Sequence, residues 1–357
     1  MQKLSFLKKA QLSLFNNYKD IQKELKELNY FFWECTLRCN LNCLHCGSDC
    51  LTDSKTKDMP LKDFLDILKM VKKEYDSKKM TIVISGGEPL MRSDLEICGR
   101  EINNLEFPWG MVTNGYGMTE NRYVRLLESG LRSITISLDG LKDNHNWLRN
   151  NHKSFDKALE SIGYVVNTNN INYDVVTCVN QKNINELAKL KEMLIKIGVK
   201  NWRLFTIFPK GRAKENQELK LTDLQHKIML DFIMKTRKEN SIKLNYSCEA
   251  FLGNYEKKAR DYFFFCKAGI NVGSVLANGD ISACPSLRGD YIQGNIYRDN
   301  FLDVWKNRFQ VMRDRSWAKC GVCENCEDFK YCEGNGLHLR DEKTKELELC
   351  HWNILKK

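Results

Sequence analysis

Cys39, Cys43 and Cys46 stand in one short run, WECTLRCNLNCLHCGSDC over residues 33–50, with the spacing C-x3-C-x2-C. Three thiolates in so short a loop can hold three corners of a 4Fe–4S cube and leave its fourth iron open to a chelating small molecule. A zinc loop is the plainer alternative, but structural zinc takes four ligands, usually in paired C-x2-C spacing. His45 is the nearest fourth candidate, and between Cys43 and Cys46 the loop is too tight to turn it inward. Cys35 and Cys50 fit neither pattern and read as packed or free thiols.

A second crowd of thiols follows near the other end of the chain: Cys266, Cys284, Cys320, Cys323, Cys326, Cys332 and Cys350. With 15 cysteines in all, a reducing compartment calls for ligation rather than disulfides as the explanation. Cys98 and Cys178 lie alone in apparent core segments, so ligation does not account for every thiol. A zinc ribbon over Cys320 to Cys332 would use few of these dispersed residues.

The chain that must position them has 357 residues, room for one large domain and a smaller one. Hydrophobic residues make up 42% and there are only 5 prolines, which fits an ordered globular protein. Lysines scattered through MQKLSFLKKAQLSLFNNYKD argue against a signal peptide, and no run reaches the ~18 apolar residues of a membrane span. These features predict a cytoplasmic protein. The net charge of +10 is spread along the chain without a basic block interleaved with aromatics, so nucleic-acid binding has no support. It would suit an acidic electron-transfer partner.

Residues 1–28 are expected to form an N-terminal amphipathic helix, with Leu4, Leu7, Leu14, Ile21, Leu25 and Leu28 facing the domain that comes next. YFFWECT then reads as a buried first strand feeding the cysteine loop. Strand-like runs recur at 81–85, 109–113, 133–137, 173–179 and 202–208, with amphipathic helical patterns between them. This rhythm predicts an α/β fold, an incomplete (β/α)6 barrel over 29–240, closed by a helical pattern at 222–239. Barrels of this type carry their chemistry on the loops after the strands. A connector over 241–261 holds Cys248, and from 262 to 357 short strands, turns and cysteines take over, with Asn278-Gly279-Asp280 marking a hairpin.

The cysteine triad resembles the signature of radical S-adenosylmethionine (SAM) enzymes, although the family places an aromatic residue where His45 stands. The loops after the predicted strands strengthen the resemblance. Gly86, Gly87, Glu88 and Pro89 resemble the element that holds the amino group of SAM, and Thr113-Asn114-Gly115 ends the next strand. Ser137-Leu138-Asp139-Gly140 resembles the turn bordering the ribose and methionine carboxylate, although an aspartate there could equally cap a helix. His145 and Arg149 resemble its H-x-x-x-R continuation, which implies Arg149 as a donor to the SAM carboxylate. Asn180, Asn183 and Phe208-Pro209 with Gly211-Arg212 fall in loops that face ligand in the family.

Cys266, twelve residues, Gly279, four residues and Cys284 resemble the opening of the SPASM extension of peptide-modifying radical SAM enzymes. Cys323, Cys326 and Cys332 match its middle and Cys350 its closing ligand. Two departures stand out: Gly336 replaces a cysteine expected soon after Cys332, and Pro285 replaces the aspartate that sulfatase-maturing relatives carry after the second cysteine. The first removes a ligand from the first auxiliary cluster, which Cys320, or else Cys248, is expected to restore. The second argues against formylglycine formation.

The resemblance implies a SAM-binding 4Fe–4S cluster on Cys39, Cys43 and Cys46, one or two auxiliary 4Fe–4S clusters, and S-adenosyl-L-methionine. It implies a 5′-deoxyadenosyl radical that oxidises, crosslinks or epimerises a peptide or protein side chain. The substrate would be a neighbouring-gene precursor or lipoprotein, and the reductant a flavodoxin- or ferredoxin-type protein. A small molecule such as a tetrapyrrole is the alternative substrate. A non-catalytic iron–sulfur electron carrier is the alternative of another class.

Overall fold

The computed structural model describes residues 3–214 and 216–357; residues 1 and 2 of the expected 1–28 segment lie outside the described residues. Six strands alternate with helices as the sequence predicts: β1 Tyr30–Glu34, β2 Thr81–Ser85, β3 Trp109–Thr113, β4 Leu131–Ser137, β5 Asn172–Val179 and β6 Asn201–Thr206. Each pairs in parallel with the next. Their residues alternate between a buried outer face, such as Ile82 and Ile84 or Ile134 and Ile136, and a half-buried inner one. Helices cover the outer face, where Trp33 stacks on Phe64 with ring centroids 4.5 Å apart. The inner face is polar, with Thr135 and Arg203 both donating to Asp174 across three neighbouring strands.

The sheet runs further than six strands. The helix Asp223–Glu239, capped at Thr222 by a reciprocal bond with Gln225, does not close the barrel. It leads into β7, Lys243–Tyr246, which pairs in parallel with β6 inside the stretch expected as a connector. On the opposite edge β8, Val272–Val275, pairs in parallel with β1, Tyr30 against Val272. The hairpin of β8 with β9, Asp280–Ser282, and the short β10, Gly294–Asn295, continue the same sheet. The cysteine-rich region therefore grows out of the barrel's own edge.

The N-terminal helix spans Phe6–Leu25 and starts where the Ser5 hydroxyl accepts from Lys8 N. It does not lie as expected. Leu4 and Leu28, on either side of the helix, are buried as expected, but Leu7, Leu14, Ile21 and Leu25 are exposed, while Leu12 and Lys19 are buried. Its buried side faces the C-terminal region: Lys19 Nζ donates to the Tyr331 carbonyl at 3.0 Å, Lys23 pairs with Glu333 at 2.7 Å, and Phe15 packs on Phe263. Lysine stems and aromatic rings, rather than the leucine stripe, decide which face is covered.

The C-terminal helix His351–Lys356 packs on Asp223–Glu239, with the His226 and His351 rings 5.0 Å apart. Burial pushes the His226 pKa down from 6.5 to about 4. The folded chain thus disfavours the protonated ring, and the unfolded chain takes the proton first as pH falls. Stability from this residue is complete above pH 6.5 and is lost between 6.5 and about 4. The expected loss is about 3 kcal/mol. Urea unfolding of wild type and His226→Leu across that range measures it, and the variant should show a shallower slope.

Candidate functional site

The cysteine loop leaves β1 and is fastened at several points. Cys39 N donates to the Leu51 carbonyl at 2.8 Å, and Leu44 N donates to the Leu148 carbonyl at 2.9 Å. From the loop after β6, Arg212 Nε donates to the Cys43 carbonyl at 2.8 Å and Arg212 N to that of Cys46 at 3.1 Å. Cys39, Cys43, Cys46 and Cys50 gather with Leu41 in one cluster. Cys50 thus joins the group the sequence kept it out of, and its backbone N–H points at Cys46 Sγ, 3.4 Å away.

These thiols are not equivalent. Burial pushes Cys39 up to about 12. Burial also raises Cys43, against the Arg149 guanidinium, whose Nη1 lies 3.8 Å from its sulfur. The Cys50 thiol bonds to Cys46 and, with Arg212, holds Cys46 down to about 5 despite its burial. Cys50 and Arg212 thus favour the thiolate at Cys46, and thiolates are the ligating form.

All 15 cysteines are free. Among the described residues, the one trio of ligand atoms lying within 4.8 Å of one another belongs to His45, Asp139 and Cys178. A tetrahedral ion with Zn–S bonds of about 2.3 Å needs sulfurs roughly 3.8 Å apart. Among the described residues, no three sulfurs come within 4.8 Å of one another. His45 does turn inward, beside Asp139 and Cys178, because the Leu44–Leu148 bond lays the loop on the helix Lys142–Arg149.

A cavity of about 380 Å³ opens against Cys39, Cys43 and Cys46, within the range of small-ligand sites. Gly86, Gly87, Glu88, Asn114, Ser137 and Arg149 line it; Pro89 and Asp139 stand behind its wall. Ser85 Oγ and Arg212 Nη2 on its lining are sealed from solvent and, among the described residues, have no hydrogen-bond partner. A cavity that joins thiols, unspent polar atoms and a cation suits a cluster with a zwitterionic ligand beside it.

The two glycines have a structural task beside the one the resemblance implies. A Cβ on Gly86 would strike the Thr36 carbonyl, and one on Gly87 the Arg38 carbonyl. Gly87 N and Glu88 N donate to those same carbonyls, each at 2.9 Å. The glycines thus seat the turn against the incoming cysteine loop. Glu88 is buried and fully engaged, accepting from Thr113 Oγ1 at 2.7 Å, Leu90 N at 3.0 Å and Asn114 N at 2.7 Å. Burial raises its pKa against these donors. Asn114 reaches on to Asn40 at 2.9 Å.

Asp139 neither caps a helix nor faces the cavity. Its Oδ2 accepts from Arg149 Nε at 2.6 Å and its Oδ1 from Cys178 N at 2.9 Å, while Asn183 Nδ2 donates to its carbonyl. Burial opposes ionisation, but Arg149 and the two histidines hold its pKa down to about 2. Asp139 therefore fixes Arg149, and Arg149 turns one nitrogen to Cys43. The partners lie only ten residues apart, Asp139 in the turn after β4 and Arg149 at the end of the helix Lys142–Arg149 that follows it.

The C-terminal thiols form two groups. Cys323, Cys326, Cys332 and Cys350 act on one another's charge, and burial raises Cys332 to about 12. Arg340 Nη2 approaches Cys323 Sγ at 3.3 Å and its Nη1 approaches Cys320 Sγ at 3.9 Å, so Cys320 stands with this group. Cys284, pushed up to about 12 by burial, feels Cys248 and Cys266. The structure thus brings Cys248, just past β7, to the Cys266 and Cys284 pair, where the sequence favoured Cys320. Arg260 folds the chain there, donating to the Ser247 and Ala250 carbonyls on either side of Cys248.

A second cavity of about 560 Å³ lies outside the first and shares Gly47 and Ser286 with it. Phe208, Lys210 and Lys214 come to it from the barrel, and Pro285, Arg288 and the 341–343 turn from the cysteine-rich region. Ser286 reaches both cavities, which its sequence neighbourhood did not signal.

Residues 33–194 match the radical SAM superfamily and residues 266–327 the SPASM iron-sulfur cluster-binding domain. The AdoMet-dependent heme synthase of Methanosarcina barkeri (strain Fusaro / DSM 804) is 26% identical over 91% of this chain and 97% of its own length. The mycofactocin maturase MftC of Mycolicibacterium smegmatis is 26% identical over 85% of this chain and 76% of its own. Streptococcus suis SuiB bound to S-adenosylmethionine shares the fold at TM-score 0.69 and 18% identity, over 96% of this chain and 82% of that one. AnSMEcpe with bound AdoMet and a peptide does so at TM-score 0.71 and 20% identity, over 92% and 95%.

Proposed function

The chain is a radical SAM enzyme with a C-terminal SPASM domain, and on that premise we propose that it modifies a side chain of a peptide or protein. The reading rests on the outer cavity. Among the described residues that line it, only Phe208 and Pro285 are apolar, beside glycines, serines and charges of both signs. Small residues leave room for an extended backbone, and charges of both signs can meet its polar groups. A fold shared with SuiB, which has been solved with its precursor peptide, is in keeping with this.

In this reading Cys39, Cys43 and Cys46 hold the SAM-binding cluster, and Asn114, Ser137 and Arg149 with the Gly86–Glu88 turn surround SAM. Once bound, these groups supply the 5′-deoxyadenosyl radical that takes a hydrogen atom from substrate. The protein's part is to orient that hydrogen through the passage at Gly47 and Ser286 and to keep water out. A flavodoxin- or ferredoxin-type protein is the proposed reductant and the cytoplasm the proposed site of action. No helix of the described residues is long and apolar enough to cross a membrane.

Relatives named as heme synthases favour a tetrapyrrole as the second reading. The two separate in one experiment: the reduced protein with SAM receives either a neighbouring-gene peptide or a tetrapyrrole carboxylate under anaerobic conditions. Mass spectrometry should show a changed peptide mass and unchanged tetrapyrrole. Turnover of the tetrapyrrole with every peptide left intact would overturn the proposal.

A further inference from the structure

The C-terminal pattern calls for a cysteine at position 336, and the chain supplies glycine. The structure shows what occupies the missing side chain's place. A Cβ on Gly336 would run into the Glu249 carbonyl, next to Cys248, and would lie 2.7 Å from Cε1 and 3.2 Å from Nδ1 of His338. One imidazole therefore fills the room a cysteine would take, beside the backbone that carries Cys248.

That imidazole is set up as a donor. Its Nε2 is sealed from solvent and, among the described residues, has no hydrogen-bond partner. Its ring packs on Phe208, with centroids 4.1 Å apart. A buried polar atom left without a partner is costly, which makes an unfilled role for it the more natural state.

Accepting that the SPASM region holds two auxiliary clusters, we propose that His338 Nε2 is the fourth protein ligand of the first of them, completing Cys248, Cys266 and Cys284. The other cluster keeps Cys323, Cys326, Cys332 and Cys350, with Cys320 outside both sets. A neutral imidazole in place of a thiolate makes the cluster less negative and raises its reduction potential.

The test uses the full chain, reconstituted anaerobically and studied without substrate, so that its outcome is independent of the peptide reading. Iron analysis should give about 12 irons per chain. Electron–nuclear double resonance of the reduced protein should show one strongly coupled nitrogen, whose coupling changes when histidine is supplied as the ¹⁵N form. His338→Cys should keep about 12 irons, lose that nitrogen coupling, and lower the potential of one auxiliary signal. Cys248→Ala should lose the signal that carries the nitrogen. A wild type with about 8 irons, a fully loaded wild type without a coupled nitrogen, or a coupling that persists in His338→Cys would each overturn the assignment. Should the cysteine variant fail to fold, the labelled wild type decides alone.

Discussion

Replacing Cys39, Cys43 or Cys46 with alanine should abolish reductive cleavage of SAM, while Cys35→Ala and Cys50→Ala should retain it. A cube on three thiolates cannot lose one and still present a single open iron of the same kind. Cys35 is fully buried at the end of β1, where burial drives its thiol well up and keeps it protonated. Cys50 is the more telling control, because it lies among the triad without belonging to its spacing. The hydrogen bond to Cys46, with burial, raises its thiol. Chromatography of 5′-deoxyadenosine formed under dithionite measures the outcome. Product from Cys43→Ala at wild-type levels would show that the assignment is wrong.

The second large effect is expected at Arg260. Arg260 and Glu256 are both fully buried and paired at 2.7 Å. Glu256 also accepts from Leu252 N at 2.8 Å and Phe264 N at 2.9 Å, so the pair fastens the whole turn that presents Cys248. Arg260→Leu leaves that carboxylate buried without its cation, a loss of about 3–5 kcal/mol. Iron content should fall with it, since the Ser247 and Ala250 carbonyls lose their donor. The double variant Arg260→Leu/Glu256→Gln should recover part of the stability, because no lone charge then remains inside. Anaerobic urea unfolding gives the numbers, and a loss under about 1 kcal/mol, typical of exposed pairs, would contradict the reading.

What the sequence made legible was whatever its signal kept local. The triad is a matter of spacing within one loop, and the six strands are runs whose β-branched residues speak for themselves. β7 was missed because KLNY has four residues, begins with a lysine and comes after a strong helix. The pairing of β8 with β1 has no local trace at all. The same holds for site chemistry. Gly86 and Gly87 could be read as a close approach, yet only the fold shows that the approaching group is the cysteine loop's own backbone. Asp139 resembles a ligand contact in sequence and is spent on Arg149 in space. The N-terminal helix shows the limit of periodicity: Leu7, Leu14, Ile21 and Leu25 gave the pattern, and Leu12, Phe15 and the lysines made the contacts.

The partnership of β1 with β8 also bears on how the chain comes into being. Synthesis delivers Tyr30–Glu34 early and Val272–Val275 late. In the interval the outer edge of β1 offers unpaired N–H and C=O groups to any passing strand. A gene cut after residue 261 would make that interval permanent. Its product would carry every residue of the triad and still be a self-associating, insoluble protein, because the strand that guards its edge is encoded in the other domain.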